Sequence, residues 1–435
     1  MSTSTSIQTA TIKTITWRLM PTLMLCFIIA FIDRSNISVA ALQMNADLSL
    51  TAKMYGLGVG LFYVTYVLLE VPSNIMLAKV GARRWIARIM VTWGLVACGM
   101  AFIQTAHQLY GMRILLGAAE AGFTPGIIYY LSRWFPAGGR ARAMGIFYIA
   151  AALAAVIGLP LSGALLKMDG ILGVAGWRWL YFVEGIPAIV MGLAVLRLLP
   201  DNPASAKWLS HEQSLWLVRT IDQESSAATG AHAGGWHRAF IDGKVWLLSL
   251  FWLCLGFGTI GVSLFLPLIL KSRMGGTDFV VSLYSALPFV LSCLLMHFNG
   301  RHSDIVQERR LHMAVPPMLA GLFLAASVTV DNSMLAYVLI LISTGLTWAA
   351  IPVFWAVTTQ YLAGGAAAAG AIALINSVSN LGGLGLPPVI GAIKDHTGSY
   401  NNGLLMVAAG LFFGGILAYV LVDKCVPRTH STPEQ

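Results

Sequence analysis

The chain has 435 residues, of which 57% are hydrophobic and only 10% charged, and its mean hydropathy is +0.76. Soluble domains carry about 25% charged residues, so a water-soluble globule is disfavoured, and so much apolar side chain also speaks against disorder. The net charge of +9 does not signal nucleic acid, because Lys and Arg lie between apolar stretches and form no patch with interleaved aromatics. The five cysteines are scattered, without a CxxC or zinc spacing, and read as small buried hydrophobes. A polytopic membrane protein remains.

A bilayer core of about 30 Å needs roughly 20 apolar residues per helix. Twelve stretches meet that need: 18–42, 54–78, 85–105, 109–133, 143–167, 178–199, 244–270, 277–299, 311–330, 334–359, 365–393 and 402–422. The expected fold is an all-α polytopic membrane protein with twelve transmembrane helices. They are arranged as two six-helix bundles, 18–199 and 244–422, with pseudo-two-fold symmetry. Tails 1–17 and 423–435 flank them, and a polar linker, 200–243, joins them. Residues 1–16 are polar and lack a basic segment and a small-residue cleavage site before the first apolar run, so no removable signal peptide is expected.

Nineteen Lys and Arg fall in the tails and even-numbered connections, against six on the other side. By the positive-inside rule both termini are cytoplasmic. Trp177 and Trp179 read as interface anchors. In the linker, Pro203, Gly230, Gly234 and Gly235 mark irregular chain, whereas Trp208 to Ile221 has helical apolar spacing and suits the membrane surface.

Two short basic connections repeat about half a chain apart. One holds Lys79, Gly81, Arg83 and Arg84 after span 2; the other holds Asp304, Arg309 and Arg310 after span 8. Inside the spans, charge is rare. Asp33 and Arg34 lie in span 1, Glu70 in span 2, Arg113 and Glu120 in span 4, and Glu184 in span 6. An Arg or Asp at the bilayer centre costs about 2.5–3.5 kcal/mol, so such groups need partners or a water-filled cavity. Arg113 and Glu120 are two turns apart on one face, about 10.5 Å along the axis, too far for a direct pair. Asp33 and Arg34 point about 100° apart, toward different partners. A four-charge cluster between spans 1 and 4 is the economical arrangement. For Glu70 and Glu184, structural and functional readings weigh evenly.

The second half has no Asp, Glu, Lys or Arg between Asp331 and Lys394. It offers Trp348, Trp355, Asn376 and Asn380 instead. The two asparagines share a helical face at i, i+4, where helix–helix adhesion competes with ligand contact; the tryptophans are more often packing than site. Runs at 121–126, 158–163 and 380–388, rich in Gly and Pro, are expected to interrupt spans 4, 5 and 11.

With these residues assembled, the whole chain resembles the major facilitator superfamily, and within it the anion:cation symporter family. The features that carry the resemblance are Asp33-Arg34-x-Asn36, Tyr66 six residues before Pro72, Arg113 seven before Glu120, and the run Gly81 to Gly94. Gly117 to Phe123, Arg133-Trp-Phe-Pro136 and Leu199-Pro-Asp-x-Pro203 add to it. The resemblance implies proton-handling carboxylates at Asp33 and Glu120. It implies substrate contacts from Arg34, Arg113, Tyr66 and Asn380. The site expected overall adds Asn376 and Trp355, with gating by Lys79, Arg83, Arg84, Asp304 and Arg309. Two departures stand out: Ala78 replaces an Asp usual before Gly81, and Ala152 stands where the sugar-acid branch has Gln.

The expected activity is proton-coupled symport of a small organic carboxylate, aromatic or dicarboxylic, by alternating access in a bacterial inner membrane. A monomer is expected to suffice, with small organic anion, protons and lipid as its partners. No cofactor, metal or enzymatic step is expected. Alternatives are facilitated uniport, anion exchange, or a drug or cation exporter of the same fold, which Arg34 and Arg113 argue against.

Overall fold

The computed structural model describes residues 2–231, 238–362 and 366–425. Gly234, Gly235 and the tail beyond Cys425 lie outside them, as do the side chains of Arg140, Arg142, Arg238 and Lys424. The described elements are helical throughout: α1 (Ser2–Asp47), α2 (Ala52–Val80), α3 (Ala82–Gly99), α4 (Ala106–Glu120), α5 (Phe123–Ser132), α6 (Ala137–Leu166), α7 (Gly176–Leu198), α8 (His211–Ala231), α9 (Arg238–Ile241), α10 (Gly243–Gly256), α11 (Ser263–Met274), α12 (Asp278–Val306), α13 (Arg310–Thr329), α14 (Ser333–Ala349), α15 (Ile351–Leu362), α16 (Ala366–Thr397) and α17 (Asn401–Cys425). Each of the twelve expected spans falls within one helix or a broken pair. Among the described residues ten spans are long and apolar enough to cross a membrane. The linker helix expected from Trp208 is α8; it starts three residues later, and Trp208 stacks on Trp134 at 5.6 Å.

Of the three expected interruptions only one breaks a helix. Span 4 is divided between α4 and α5 by Gly122, whose φ of +85° lies in the left-handed region. A side chain there would also strike Ser73, 2.4 Å from the Cβ position. By contrast α6 continues through Pro160, and α16 through Pro387 and Pro388. There the glycines serve packing: at Gly382 a Cβ would lie 2.5 Å from Leu253. One irregularity carried no Gly-Pro signal, a π-helical stretch at Phe257–Val262 between α10 and α11.

Two compact units result. The first comprises residues 1–227, 264–287 and 384–398; the second comprises 228–263, 288–383 and 399–435. In the first, α3 packs along α7, α1 along α6 and α7, and α2 along α4. Backbones approach closely at Gly117, where a Cβ would sit 2.1 Å from the Phe62 carbonyl. Trp177 is fully buried and its indole donates to Asp47 at 2.9 Å, so it is a core residue and not an interface anchor. In the second unit α13 packs on α14 and α17, and α10 on α17. Cys26, Cys98, Cys254 and Cys293 are free thiols.

The first unit is tied together where α1 ends and α2 begins. Asp395, in the last turn of α16, accepts backbone N–H groups of Ala52 and Lys53 at 3.0 and 2.9 Å, at the start of α2. Tyr55 donates to the Leu264 carbonyl at 2.8 Å. Gln43 donates to Asp278 at 3.1 Å, which also meets Lys271 at 2.8 Å. Slight burial raises the Asp395 carboxyl, but hydrogen bonds from Lys53, Thr51 and Ala52 outweigh it and hold it below the usual Asp value.

Two predictions follow from this packing. Gly117→Val should force α2 from α4 and cost about 1–3 kcal/mol, read as a lower melting temperature in detergent; Gly111→Ala, with nothing within 4 Å of its Cβ position, should leave it unmoved. Because folding depresses the Asp395 pKa, the stability it contributes is complete above the ordinary Asp value and is lost as pH falls through the depressed one. Amide protection factors at 52–55, taken against intrinsic rates at each pH, should therefore fall in acid, and Asp395→Asn should already show low protection at neutral pH. Equal exchange in the two proteins at neutral pH would remove this role.

Candidate functional site

The charges of the first unit separate by helix. Arg34 of α1 reaches across to Glu120, the last residue of α4, with Nε 2.5 Å from Oε1. The carboxylate is 2% exposed and the guanidinium 26%. The break at Gly122 fixes where α4 ends and so where Glu120 stands. Arg34 also lies against three rings, its Cζ 4.9 Å from the Tyr66 centroid, 5.7 Å from Phe31 and 5.8 Å from Phe62. Each such contact is worth about 0.5–2 kcal/mol when desolvated. Tyr66 is itself buried.

Asp33, one residue earlier, turns the other way. Its Oδ2 accepts the indole N–H of Trp93 on α3, and its Oδ1 faces the Asn36 amide at 3.4 Å. The expected 100° divergence of Asp33 and Arg34 is therefore present. The four charges of the expected cluster are electrostatic neighbours centred on Glu120, which interacts with Asp33, Arg34 and Arg113, but only Arg34 is in direct contact with it. Arg113 takes no carboxylate. It donates through Nε to the Gly58 carbonyl at 3.3 Å and lies 5.2 Å from the Phe62 ring. Its Nη1 is buried and makes no hydrogen bond. α2 packs along α4, and its Gly58 carbonyl is the acceptor within hydrogen-bond distance of Arg113. A buried guanidinium with a free N–H edge is suited to a bidentate carboxylate.

Glu70 lies one turn beyond Tyr66 on α2 and is half-buried. Glu184 on α7 is buried and accepts from Ser162 at 2.7 Å.

Several residues of the two basic connections also find partners. Arg83 pairs with Asp201 at 3.0 Å, just after α7. Gly81, with φ of +100°, leaves room for that carboxylate, whose Oδ1 is 3.2 Å from its Cβ position. Tyr130 donates to the neighbouring Pro200 carbonyl at 2.8 Å. Asp201 thus supplies, from the far side of the connection, the negative charge that Ala78 lacks. Lys79 and Arg84 are exposed beside it. In the second unit Arg309 pairs with Asp304 at 2.6 Å and bonds Ser303 at 3.0 Å. His312 bridges to Glu308 and to His302, both at 2.7 Å.

Asn376 and Asn380 are half-buried on one face of α16. Trp355 packs in a ring cluster, 5.3 Å from Trp252 and 5.2 Å from Phe354. Phe123 and Tyr130 are core residues, against Trp93 and Trp134 respectively. Sequence reasoning did not single out Trp93, Phe62, Asp201 or Ser162. Trp93 and Asp201 stand in the quoted runs Gly81 to Gly94 and Leu199 to Pro203; Phe62 and Ser162 carry no local signal.

The Major Facilitator Superfamily family model matches residues 23–387. A candidate tartrate transporter of Agrobacterium vitis is 43% identical over 412 residues, covering 94% of this chain and 91% of the relative. A quinolone resistance transporter of Acinetobacter baumannii is 38% identical over 414 residues, 95% of each chain. Among solved structures, a D-xylose-proton symporter superposes with a TM-score of 0.75 at 14% identity, covering 95% of this chain and 98% of that one.

If the Arg34–Glu120 pair holds α1 to α4, Glu120→Ala should cost about 2 kcal/mol, less than a fully buried pair because Arg34 keeps some exposure. Arg34→Leu in the same chain should restore much of the loss. A double-mutant cycle on detergent melting checks this; additive losses would mean the two side chains are not coupled.

Proposed function

The chain belongs to the major facilitator superfamily, and we propose that it is a proton-coupled symporter importing a small organic carboxylate across a bacterial inner membrane, with both termini cytoplasmic. The observation that carries the reading is the state of its two arginines. Each leaves one buried guanidinium nitrogen without a hydrogen bond, and only Arg34 is paired with a carboxylate, Glu120, so Arg113 is the cation with no anion in contact. An anion is the ligand such a site attracts, and the low dielectric around it strengthens the attraction. The relative named as a candidate tartrate transporter supports a carboxylate.

The coupling reading follows from charge. Arg34 and Arg113 balance Asp33 and Glu120; a bound carboxylate adds a negative charge that a proton offsets before the site turns in a membrane. Protonation of Glu120 would release Arg34, leaving both arginines for the substrate. Proton loss on the cytoplasmic side would restore the Arg34–Glu120 pair and expel the anion. Asp33, held by Trp93, is the second proton-handling group. In this reading the bundles 18–199 and 244–422 move about the linker 200–243, with tails 1–17 and 423–435. Asn376, Asn380 and Trp355 contact the substrate from the second bundle. The gate comprises Lys79, Arg83, Arg84, Asp304 and Arg309, with Asp201 added. A monomer suffices.

A second reading is favoured by one observation, the relative named as a quinolone resistance transporter. A quinolone is an aromatic carboxylic acid, so a site of the same charge suits it and the direction of transport would differ.

Proteoliposomes with an internal pH dye and clamped voltage test the first reading. Tartrate, phthalate, hydroxyphenylacetate, nicotinate and galactonate would be added in turn. One acid should acidify the lumen, Glu120→Gln should abolish the signal, and Arg113→Gln should raise KM by about tenfold or more for the loss of one charged hydrogen bond. Labelled acid entering without acidification would establish uniport or exchange instead. Increased quinolone tolerance on expression, with no acid uptake, would favour the second reading.

A further inference from the structure

Glu184 is the buried carboxylate that the mechanism above leaves unused. It sits on α7, 4% exposed, where α1, α3 and α6 converge. Close backbone contact makes this possible: a Cβ at Gly94 of α3 would lie 2.9 Å from the Gly185 carbonyl. Ser162 of α6 donates to its Oε1 at 2.7 Å, but its Oε2 is buried with no hydrogen bond. Asn36 of α1 interacts with Glu184 as well as with Asp33, and Asn36 Oδ1 is likewise buried without a partner. One turn before Glu184, the buried Tyr181 hydroxyl also lacks a hydrogen bond and lies in the fields of Arg113, Glu184 and Asp33.

A carboxylate serving only structure would have donors on both oxygens, because a buried charged acceptor left unmatched is costly. The groups that interact with Glu184 are Ser162 from α6, Asp33 and Asn36 from α1 and Tyr181 from its own helix, and none of these is a cation. A proton on Oε2 changes the balance: it removes a charge that no salt bridge offsets and turns the unmatched oxygen into a donor.

We propose that Glu184 is a third proton-carrying carboxylate, joined to Asp33 through Asn36, which loads and releases a proton in each transport cycle. The proposal rests on the symport reading above. The charge count makes it quantitative. Without Glu184, two arginines against Asp33, Glu120 and a monocarboxylate leave one negative charge. With an ionised Glu184 there are two, so about two protons accompany each monocarboxylate where a permanently protonated Glu184 would give about one.

The test measures protons per anion in voltage-clamped proteoliposomes, with flux of a labelled monocarboxylate read in parallel. Wild type should give about two and Glu184→Gln about one, with Glu184→Asp restoring the higher ratio. If wild type moves anion without protons, the symport reading fails and this one with it. If wild type is coupled but Glu184→Gln leaves the ratio unchanged, Glu184 is structural and the symport reading stands. Labelling of wild type by dicyclohexylcarbodiimide, located by peptide mass spectrometry, serves where the variants fold poorly. Glu184 should be modified in mildly acidic and spared in alkaline medium; modification equal at both would overturn the proposal.

Discussion

Burying a guanidinium in an apolar helix bundle requires an acceptor held in place before the charge arrives there, and the Arg34–Glu120 pair meets that requirement. Its two ends come from α1 and α4, and neither helix could carry its charge into hydrocarbon alone without a cost of a few kcal/mol. The surrounding devices serve the pair. The αL residue Gly122 terminates α4 at Glu120, and the rings of Phe31, Phe62 and Tyr66 cover the guanidinium. The Cβ-free face of Gly117 brings α2 close enough to α4 to make that cover continuous.

The same constraint divides labour among the remaining charges. Once Glu120 is occupied by Arg34, Asp33 must find another donor, and the indole of Trp93 on α3 provides it. Arg113, near Glu120 but in salt-bridge contact with no carboxylate, settles on a backbone carbonyl. A carbonyl satisfies one N–H and does not neutralise a cation. The first unit therefore holds one arginine paired with a carboxylate and one that is not, each with a buried nitrogen still unbonded, a state suited to recruiting an anion. The basic connections repeat the theme in a wetter setting: Arg83 with Asp201, and Arg309 with Asp304, each pair with a nearby acid.

Much of this was legible in the chain. Spans, their number and their basic connections follow from composition, because hydrocarbon admits only long apolar helices. That Asp33 and Arg34 diverge follows from helical geometry alone. Their partners do not: Trp93, Gly58 and Asp201 are distant in sequence, and nothing local distinguishes Trp93 from the other tryptophans. Expectations about breaks failed for a related reason. Pro160 and the Pro387-Pro388 pair look like interruptions, but in helices packed on their neighbours such prolines are tolerated and the adjoining glycines are used for contact. Trp177 looked like an interface anchor by position, and the Asp47 carboxylate within its reach made it a core residue instead.

The sequence by itself determined that the protein is a bundle of membrane-crossing helices, and which few charged residues must be accounted for within it. Those facts rest on the free energy of single residues in water and hydrocarbon, which composition and periodicity express. Only the tertiary structure decided which charge meets which, that Arg113 is left with an unused edge, and that Glu184 faces Asn36 with one oxygen unmatched. Those depend on crossing positions of helices tens of residues apart, set by packing of small residues at their contacts, and no local pattern encodes them.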